Sequence, residues 1–400
     1  MLLEDIENYP LHSLDYLERV VNNGSKSGYT DIHKTSPETN PFSSKGFRVK
    51  KLCVAGPFIK CYGKPLKEYR FLEDKNFIFI HPDWTLSNHV QEIISMGTIE
   101  DSMWVVPTSS SRTVRIQGSY SYLKLYYPGV IGRIDRALKY PQLISGLNIN
   151  DIFLEKNNHF PEVFDFMPES YGRLLVKNGM EVGFILREIP NSVKGYFLIP
   201  AFSLFSSDRE YPGDALLHQI LNRQVDAYSF FLNKICFPLV DIFFACAFAE
   251  GLIPEMHSQN IVFAFGKDWD IKKIILRDFE SIDKDISLRQ ALGKKINFTE
   301  FPYKCISKTD KNYLKRHSYM FDHKLCEYLI EPLIECAALY LMADPTELQM
   351  TIKEYVNFKY HDRLSCFFPP DNCWYKYPDE EIDRTTSDRP YMSMGAAIYR

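Results

Sequence analysis

The chain has 400 residues, of which 45% are hydrophobic and 24% are charged, and its formal net charge is −4. These are ordinary values for a globular protein, and the length is sufficient for two closely packed lobes. The charge balance excludes a chain-wide nucleic-acid footprint, so any cationic site must be local. The nine cysteines are scattered, without a CxxC pair or zinc spacing, which indicates reduced thiols and a cytoplasmic protein.

The beginning of the chain carries acids where a secretory signal needs bases. The most apolar stretch, residues 235–249, is interrupted by Pro238 and Asp241. It is shorter than the roughly 20 apolar residues that span a bilayer. We therefore expect a buried core helix at this position and no membrane partner.

The first predicted element is a short helix over residues 14–21, followed by a loop over 25–47 that is rich in Ser, Thr, Pro and Gly. A β-rich region follows, because β-branched and aromatic residues dominate short runs between turn residues. Its five expected strands cover residues 49–55, 77–81, 103–106, 113–117 and 120–127.

The second half of the chain is mainly helical by the same criteria. Helices are predicted over 130–147 and 161–172, and strands over 181–188 and 195–202 are expected to pair with each other. Further helices are predicted over 215–222, through a long helix that ends at 250, and over 315–341 and 346–358. The tail from residue 369 is expected to be irregular because it is rich in Pro, Asp and Tyr.

A polar stretch near the middle of the chain is the most informative one. Residues 255–260 read Glu-Met-His-Ser-Gln-Asn, and two apolar runs, 261–265 and 271–276, then flank a turn-like Gly-Lys-Asp-Trp sequence. This pattern predicts a β-hairpin. Gln259 and Asn260 then lie across from Asp278 and Arg277, and directly opposed residues have Cβ atoms about 5 Å apart. The hairpin gathers amide, imidazole and carboxylate groups at its open end.

A second predicted hairpin is cationic. A Thr-Ser-Ser-Ser lead-in at 108–111 precedes Arg112 and Arg115, and a turn centred on Gly118 places Arg112 opposite Lys124. Like charges directly opposed in a sheet are destabilising, so the arrangement indicates an anion between them. The serines supply donors of the kind that bind phosphate oxygens. A lone Arg–Lys pair would indicate only solvated surface cations, but the second polar cluster favours an anion site.

Together these clusters resemble one family, the NRPS-independent siderophore (NIS) synthetases, also called the IucA/IucC family. The resemblance spans roughly residues 75–280. The motifs are, in order, Ser-x-Arg-Thr at 110–113, Tyr-Leu-Lys-Leu at 122–125, Arg136 on the helix predicted near Gly132, Glu-x-His-x-Gln-Asn at 255–260, and Arg277-Asp278.

The resemblance implies an α+β fold that is described as a cupped hand, with a β-rich fingers lobe packed on a mainly helical palm lobe. On this basis, residues 1–47 are expected to be an N-terminal helix and loop, the remnant of a thumb that is longer in typical members. The fingers are expected over 48–205, and the palm, with the hairpin at 260–278, over 206–400.

The resemblance also implies ATP-dependent ligation through an acyl-adenylate, in which citrate or another small carboxylic acid is joined to an amine or alcohol. Carried over by position, the triphosphate is held by Ser110, Arg112, Thr113, Lys124 and Arg136. His257, Gln259 and Asn260 contact the nucleotide and the reacting carboxylate, while Glu255 and Asp278 hold Mg²⁺ and Asp278 also contacts the nucleotide. The expected catalytic residues are His257, Arg112, Lys124 and Arg136. No nucleic-acid partner is implied, and a homodimer is left open.

Two alternatives remain at this point. A kinase-like small-molecule phosphotransferase also presents a His…Asn loop, a hairpin and an Asp. Here, however, Asn260 follows His257 too closely, and no Gly-rich phosphate loop precedes a strand Lys. A non-catalytic nucleotide-binding relative is the other alternative, which the polar residues at the motif positions disfavour.

Overall fold

The structure is a computed structural model. It describes residues 1–22, 36–86, 91–127, 130–131, 134–135, 137–155, 159–296, 298, 304–377 and 390–400. The described chain is a mixed α+β fold with a large antiparallel sheet, smaller sheets and several helices, as the sequence predicted.

The strands are β1 (Phe47–Cys53), β2 (Ile59–Gly63), β3 (Phe77–Ile80), β4 (Thr98–Pro107), β5 (Thr113–Ile116), β6 (Ser121–Leu125), β7 (Val130–Ile131), β8 (Ile134–Asp135), β9 (Phe164–Phe166), β10 (Tyr171–Lys177), β11 (Met180–Glu188), β12 (Phe197–Pro200), β13 (Leu252–Ile253), β14 (Ile261–Phe265), β15 (Ile271–Leu276), β16 (Asp283–Asp285), β17 (Cys305–Ile306), β18 (Cys373–Lys376) and β19 (Met392–Ala396).

The helices are α1 (Leu3–Asn8), α2 (Pro10–Val20), α3 (Gln91–Ile94), α4 (Tyr140–Leu154), α5 (Ala201–Phe205), α6 (Leu216–Leu221), α7 (Ala227–Phe230), α8 (Phe237–Glu250), α9 (Ile286–Ala291), α10 (Tyr313–Ser318), α11 (Glu331–Leu341) and α12 (Pro345–Phe367). Two π-helical segments, Phe231–Cys236 and Tyr319–Ile330, connect α7 to α8 and α10 to α11. Each joined set of segments forms one continuous helix.

An eight-stranded sheet has the order β2-β10-β11-β6-β5-β4-β1-β3, and all of its neighbours are antiparallel. Its central strands β5 and β6 are buried along their whole length. Successive side chains of a strand point to opposite faces of the sheet. On one face, the apolar side chains of β5 and β6 pack into a core with α4. The polar side chains of Arg115 and Lys124 are buried on the opposite face.

A four-stranded sheet has the order β12-β14-β15-β9. The predicted hairpin is confirmed as β14–β15, with Ile261 opposite Leu276. Its turn contains Trp269 with a φ of 57°. A small apolar cluster that includes Tyr122 of β6 and Val262 of β14 joins this sheet to the eight-stranded one. The two predicted hairpins therefore lie on adjoining sheets.

The long predicted helix is confirmed as the continuous helix Ala227–Glu250. Within the described part of the chain, it is the one helix that is long and apolar enough to cross a membrane, but 67% of its apolar window is buried. It packs in the largest apolar cluster, as expected for a core helix. The helix ends at Gly251, whose φ of 59° is the left-handed conformation that commonly terminates helices and favours glycine.

Other secondary-structure predictions are wrong. The helix predicted over 130–147 is replaced by β7 and β8, and α4 begins only at Tyr140, where Pro141 favours the first turn of a helix. The helix predicted over 161–172 is replaced by β9 and the start of β10. Short apolar runs do not distinguish a buried strand from a helix by periodicity, which explains both errors.

Two further predictions, one about strand pairing and one about the tail of the chain, are also wrong. The strands predicted over 181–188 and 195–202 exist as β11 and β12, but β11 pairs with β10 and β6, whereas β12 pairs with β14 in the other sheet. The tail that was expected to be irregular contains the antiparallel pair β18–β19. Residues 25–35 of the predicted loop over 25–47 are outside the described chain, and residues 36–46 contain no helix or strand, as predicted. The lobe boundaries at 47 and 205 stay a prediction.

Candidate active site

The Ser-rich lead-in forms a tight, internally hydrogen-bonded turn. Ser111 has a φ of 60°, and Arg112 N donates to Ser110 O at 2.7 Å. Thr113 N donates to Ser110 Oγ at 3.1 Å. A left-handed backbone is unfavourable for a residue with a Cβ and is found preferentially at functional sites. The turn therefore directs Arg112 away from the regular strand that begins one residue later.

The register of the cationic hairpin differs by one residue from the prediction. Lys124 lies opposite Thr113, and Arg112 O accepts from Leu125 N. The reason is the length of the turn, because four residues, 117–120, separate β5 from β6 and place its centre after Gly118. The two cations are therefore diagonal neighbours rather than directly opposed ones.

A carboxylate of the chain itself lies between these two cations, and the phosphate that was predicted at this position stays a prediction. Glu280 Oε2 is 3.0 Å from Lys124 Nζ and 3.3 Å from Arg112 Nη2. Lys124 Nζ also contacts Asp278 Oδ1, and Arg187 Nη2 lies 3.3 Å from the same oxygen. Cations of the eight-stranded sheet are thus neutralised by carboxylates that follow the β14–β15 hairpin.

The charge state of the two carboxylates follows from this geometry. Burial alone would raise the pKa of Asp278, but Lys124, Arg187 and Arg112 outweigh it and hold the pKa well below its usual value. Burial would also raise the pKa of Glu280, but Lys124 and Arg112 outweigh this effect and lower the pKa. Both groups are ionised at neutral pH. Asp278 also has a left-handed backbone with a φ of 74°, which turns the chain sharply after β15.

A buried ion pair, Arg187 with Glu169, adjoins this cluster through Asp278. Arg187 on β11 is 4% exposed, and its Nε donates at 2.9 Å to Glu169, which is fully buried. Because Arg187 contacts both Glu169 and Asp278, it connects the interior of the eight-stranded sheet with the end of the hairpin.

His257 occupies a turn before the hairpin. Its Nδ1 accepts from Gln259 N at 3.2 Å, so the neutral ring carries its proton on Nε2. Burial lowers the pKa of His257 to about 4, despite the opposing effect of Glu255. Asn260 holds the turn, since its Nδ2 donates to Glu255 O at 3.0 Å. Nε2 has no hydrogen-bond partner among the described residues and can donate to a ligand.

Glu255 has a different partner from Asp278. Its Oε1 lies 2.8 Å from Lys324 Nζ, on the π-helical segment. Burial would raise the pKa of Glu255, but Lys324, His257 and Lys304 hold it at about 2. Lys324 Nζ also lies 5.2 Å from the ring centroid of Tyr319 and 5.3 Å from that of Tyr328. Glu255 is therefore ionised at neutral pH and forms a local ion pair with Lys324.

Gln259 provides a direct link between the two hairpins. Its Nε2 donates to Ser109 Oγ at 3.1 Å, across the seam between the two sheets. Arg277 N donates to Asn260 O at 3.0 Å, which confirms the predicted pairing at the open end of the hairpin. The Gln259–Ser109 bond fixes the Ser-rich turn relative to the His257 turn, and the Arg277–Asn260 bond closes the open end of the hairpin.

The structure brings together most of the residues that the sequence singled out. Arg112, Lys124 and Asp278 share one charge cluster, and His257 is close enough to Glu255 and Asp278 for both charges to affect its pKa. Arg136 lies outside the described residues. Within the described chain, no three His, Cys, Asp or Glu side chains form a metal cluster, and Glu255 and Asp278 as magnesium ligands stay a prediction.

Sequence reasoning missed Glu280, Arg187 and Lys324. Glu280 had a signal, because it stands two residues after Asp278 and directly after the same turn. Arg187 also had one, since it is a cation at the end of the apolar run of β11. Lys324 had none, because a lysine on a helix is normally solvated and only the tertiary contact with Glu255 reveals its burial.

No known family model matches this sequence, and no curated protein sequence matches it either. Solved structures do match in fold. The chain is similar to the petrobactin biosynthesis protein AsbB of Bacillus anthracis at 15% identity and a TM-score of 0.75, covering 96% of this chain and 74% of that protein. It is similar to the aerobactin synthetase IucC of Klebsiella pneumoniae at 12% identity and a TM-score of 0.73, with coverages of 96% and 76%.

A third similar structure is an ATP-bound aerobactin synthetase IucA of Klebsiella pneumoniae, at 16% identity and a TM-score of 0.69. The match covers 90% of this chain and 70% of that protein. The similarity extends over nearly the whole chain, well beyond residues 75–280 that carried the resemblance in sequence. This chain therefore has the fold of the aerobactin synthetases IucA and IucC and of the petrobactin biosynthesis protein AsbB.

Proposed function

We propose that the chain is an ATP-dependent ligase that activates a small carboxylic acid as an acyl-adenylate and transfers it to an amine or alcohol. The observation that carries this proposal is the meeting of Lys124 and Arg112 with Asp278 and Glu280 at the seam of two sheets. A site that unites cations and carboxylates in this way suits a magnesium nucleotide, and the fold shared with an ATP-bound synthetase supports it.

The chemistry of the donor set fits a triphosphate. Guanidinium and ammonium groups form short, charge-assisted hydrogen bonds with phosphate oxygens. In the proposed complex, phosphate oxygens take the positions at Arg112 and Lys124 that Glu280 now occupies. Ser110 and Thr113 line the same turn, and Arg136 is proposed to act with them because of its position in the family motif.

The carboxylates freed by this exchange suit Mg²⁺, which prefers carboxylate and phosphate oxygens. Asp278 and Glu255 are the ligands implied by the family motifs, and Glu280 is a further candidate because it shares Lys124 with Asp278. A bound Mg²⁺ would neutralise negative charge on the phosphoryl oxygens.

His257 is proposed to stabilise charge that develops during carboxylate attack on the α-phosphate. Its neutral ring offers Nε2–H as a donor, since Nδ1 is engaged with Gln259 N. Donors fixed before the reaction stabilise such charge without a reorganisation cost. Gln259 and Asn260 are proposed to position the nucleotide and the carboxylate. The substrates under this proposal are small molecules, and the protein acts in the cytoplasm.

A product assay tests the reaction type. The protein is incubated with ATP, Mg²⁺, hydroxylamine as a surrogate nucleophile and a panel of carboxylates that includes citrate, and the nucleotide products are separated. We expect AMP and pyrophosphate in equal amounts with at least one acid. ADP would contradict the proposal and favour a phosphotransferase. ATP that binds but remains intact with every acid would favour a non-catalytic protein.

Variants connect that activity to the site. We expect Arg112→Ala and His257→Ala to lower pyrophosphate release by about 10²-fold or more, with the fold retained. The matched control is Lys50→Ala, a cation on the same sheet that pairs with Asp101 at 2.5 Å on the surface. Release at the wild-type rate in either site variant would exclude that residue from the machinery.

A further inference from the structure

Helix α2 carries two carboxylates on one face, Asp15 and Glu18, because residues three apart are neighbours on a helix. Each binds an arginine of a different hairpin. Asp15 Oδ2 lies 2.5 Å from Arg115 Nη2 on the cationic hairpin. Glu18 Oε1 contacts Arg277 Nη1 at the end of the β14–β15 hairpin. A single N-terminal helix is thus bound to both halves of the candidate active site.

Glu18 makes a contact with each side. It is 2% exposed, and while Oε1 binds Arg277, Oε2 accepts from Ser109 Oγ at 3.3 Å. Ser109 directly precedes Ser110 of the phosphate turn, and Arg277 directly precedes Asp278. Because Glu18 lies between Ser109 and Arg277 and contacts both, it helps to set the distance between the two sheets.

Gln259 closes these contacts into a ring. Gln259 Nε2 donates to Ser109 Oγ at 3.1 Å, and Arg277 Nε donates to Gln259 O at 2.7 Å. The ring therefore runs from Glu18 to Ser109, Gln259, Arg277 and back to Glu18. Every member is buried, and a buried charge is stable only when it is paired and hydrogen-bonded.

The apolar side of α2 fixes the helix in place. Leu14 belongs to the small cluster with Tyr122 of β6 and Val262 of β14, which is the seam between the two sheets. Leu17 packs into the large helical core. The position of Glu18 is therefore set by packing against both sheets and does not depend on its ion pair alone.

We propose that Glu18 is a positioning residue of the candidate active site. It sets the separation between the Ser-rich turn and the His257 turn, and so aligns the triphosphate on one sheet with the carboxylate substrate at the other. This inference rests on the proposed function. In this proposal, helix α2 acts on the site through its contacts with Ser109 and Arg277.

The first test is kinetic. Glu18→Gln keeps the length and an acceptor oxygen but removes the charge that binds Arg277. We expect the Kd for Mg-ATP to change by less than about threefold, whereas kcat for pyrophosphate release falls on the order of 10- to 100-fold, as for a misalignment of about 1 Å. A residue with only a structural role would lower the fraction of ATP-binding protein and leave kcat per bound site unchanged.

The matched control is Glu7→Gln. Glu7 also binds an arginine and the four-stranded sheet, since Oε1 accepts from Trp269 Nε1 at 2.6 Å and lies 3.0 Å from Arg223 Nη1. Neither of these two partners belongs to the cationic hairpin. We therefore expect wild-type kcat for Glu7→Gln, and an equal loss in both variants would overturn the proposal.

Hydrogen exchange separates this inference from the proposed reaction. In Glu18→Gln we expect faster amide exchange in residues 108–113 and 257–260 together, with the central strands unchanged. If the wild type makes no pyrophosphate but Glu18→Gln still shows the faster exchange in both segments, only the proposed reaction is refuted and the positioning role stands. Unchanged exchange in both segments, or a uniform increase, would overturn the positioning role. If Glu18→Gln does not fold, Glu18→Asp, which keeps the charge on a shorter side chain, is measured in the same way.

Discussion

Two ion clusters flank His257, and they differ in how they are neutralised. Around Lys124, the cations come from the eight-stranded sheet and the carboxylates from the end of the β14–β15 hairpin. Around Glu255, the partner is Lys324 from a neighbouring helix in the same apolar core. In the proposed function, the first cluster exchanges the carboxylate of Glu280 for an incoming anion. The lysine of the second cluster is not on the eight-stranded sheet, so we expect the two clusters to respond differently to mutation and to ligands.

The largest effect is expected when the shared cation of the exchangeable cluster is removed. Lys124→Met preserves the length of the side chain but leaves Asp278 and Glu280 without their common partner. We expect pyrophosphate release to fall by about 10²–10³-fold, as for loss of one donor to transition-state charge. The measurement is kcat at saturating Mg-ATP, with Lys50→Met on the same sheet as the control. A loss below about threefold would refute the role.

The next effect concerns the metal. Asp278→Asn should raise the Mg²⁺ concentration for half-maximal activity by at least about tenfold, because a carboxylate ligand is replaced by a neutral amide. The same Mg²⁺ titration of Glu255→Gln shows whether the carboxylate of the other cluster also affects the Mg²⁺ concentration for half-maximal activity. An equal shift would make both carboxylates ligands, as the family motifs imply. An unchanged titration for Asp278→Asn would exclude it as a ligand.

The pH dependence of stability provides a third comparison. Burial lowers the pKa of His257 to about 4, whereas an unfolded chain has a histidine pKa of about 6.5. Between these values the unfolded state binds more protons, so the free energy of unfolding falls as the pH falls, by up to about 1.4 kcal/mol per pH unit for each such histidine.

His257→Asn tests this origin by urea unfolding at several pH values between 5 and 7. The variant should show a shallower loss of stability on acidification than the wild type. His81, whose pKa burial also lowers to about 4, contributes equally to both proteins and so cancels in the comparison. Parallel curves for the two proteins would contradict the buried, neutral state of His257.

The smallest effect is expected for the internal anion itself. Glu280→Gln removes the carboxylate that competes with ATP phosphates for Arg112 and Lys124. The affinity for metal-free ATP should therefore rise by up to about fivefold, which corresponds to the free energy of a partly exposed ion pair. Calorimetry with and without Mg²⁺ measures it, with Asp101→Asn as the control. Weaker binding only in the presence of Mg²⁺ would make Glu280 a metal ligand, and weaker binding in both conditions would contradict the exchange.

The parts of the site that were predictable are local in sequence. The β14–β15 hairpin followed from two apolar runs around one turn, and the contact between Arg277 and Asn260 followed from that pairing. The register of the cationic hairpin was missed by one residue, because the number of residues in its turn cannot be derived from the position of Gly118 alone. For these two hairpins, local pattern predicted the strands correctly, but it missed the alignment of the cationic pair by one residue.

The remaining contacts depend on packing between distant segments. Glu18 reaches Arg277, and Lys324 reaches Glu255, only because the helices that carry them lie against the β14–β15 hairpin and the turn before it. No periodicity within either helix encodes that approach. The strand β9 was read as helix because its few apolar residues gain strand geometry only through parallel pairing with β15. Such tertiary pairing commonly overrides local preference.

The π-helical segment that carries Lys324 places a constraint on chain length. A π-helix bonds each residue to the fifth one along rather than the fourth, so it accommodates residues that a regular helix could not place in the same rise. We expect deletion of one residue between Tyr319 and Lys324 to rotate Lys324 about the helix axis and to break its contact with Glu255. The segment can therefore vary in composition far more freely than in residue count.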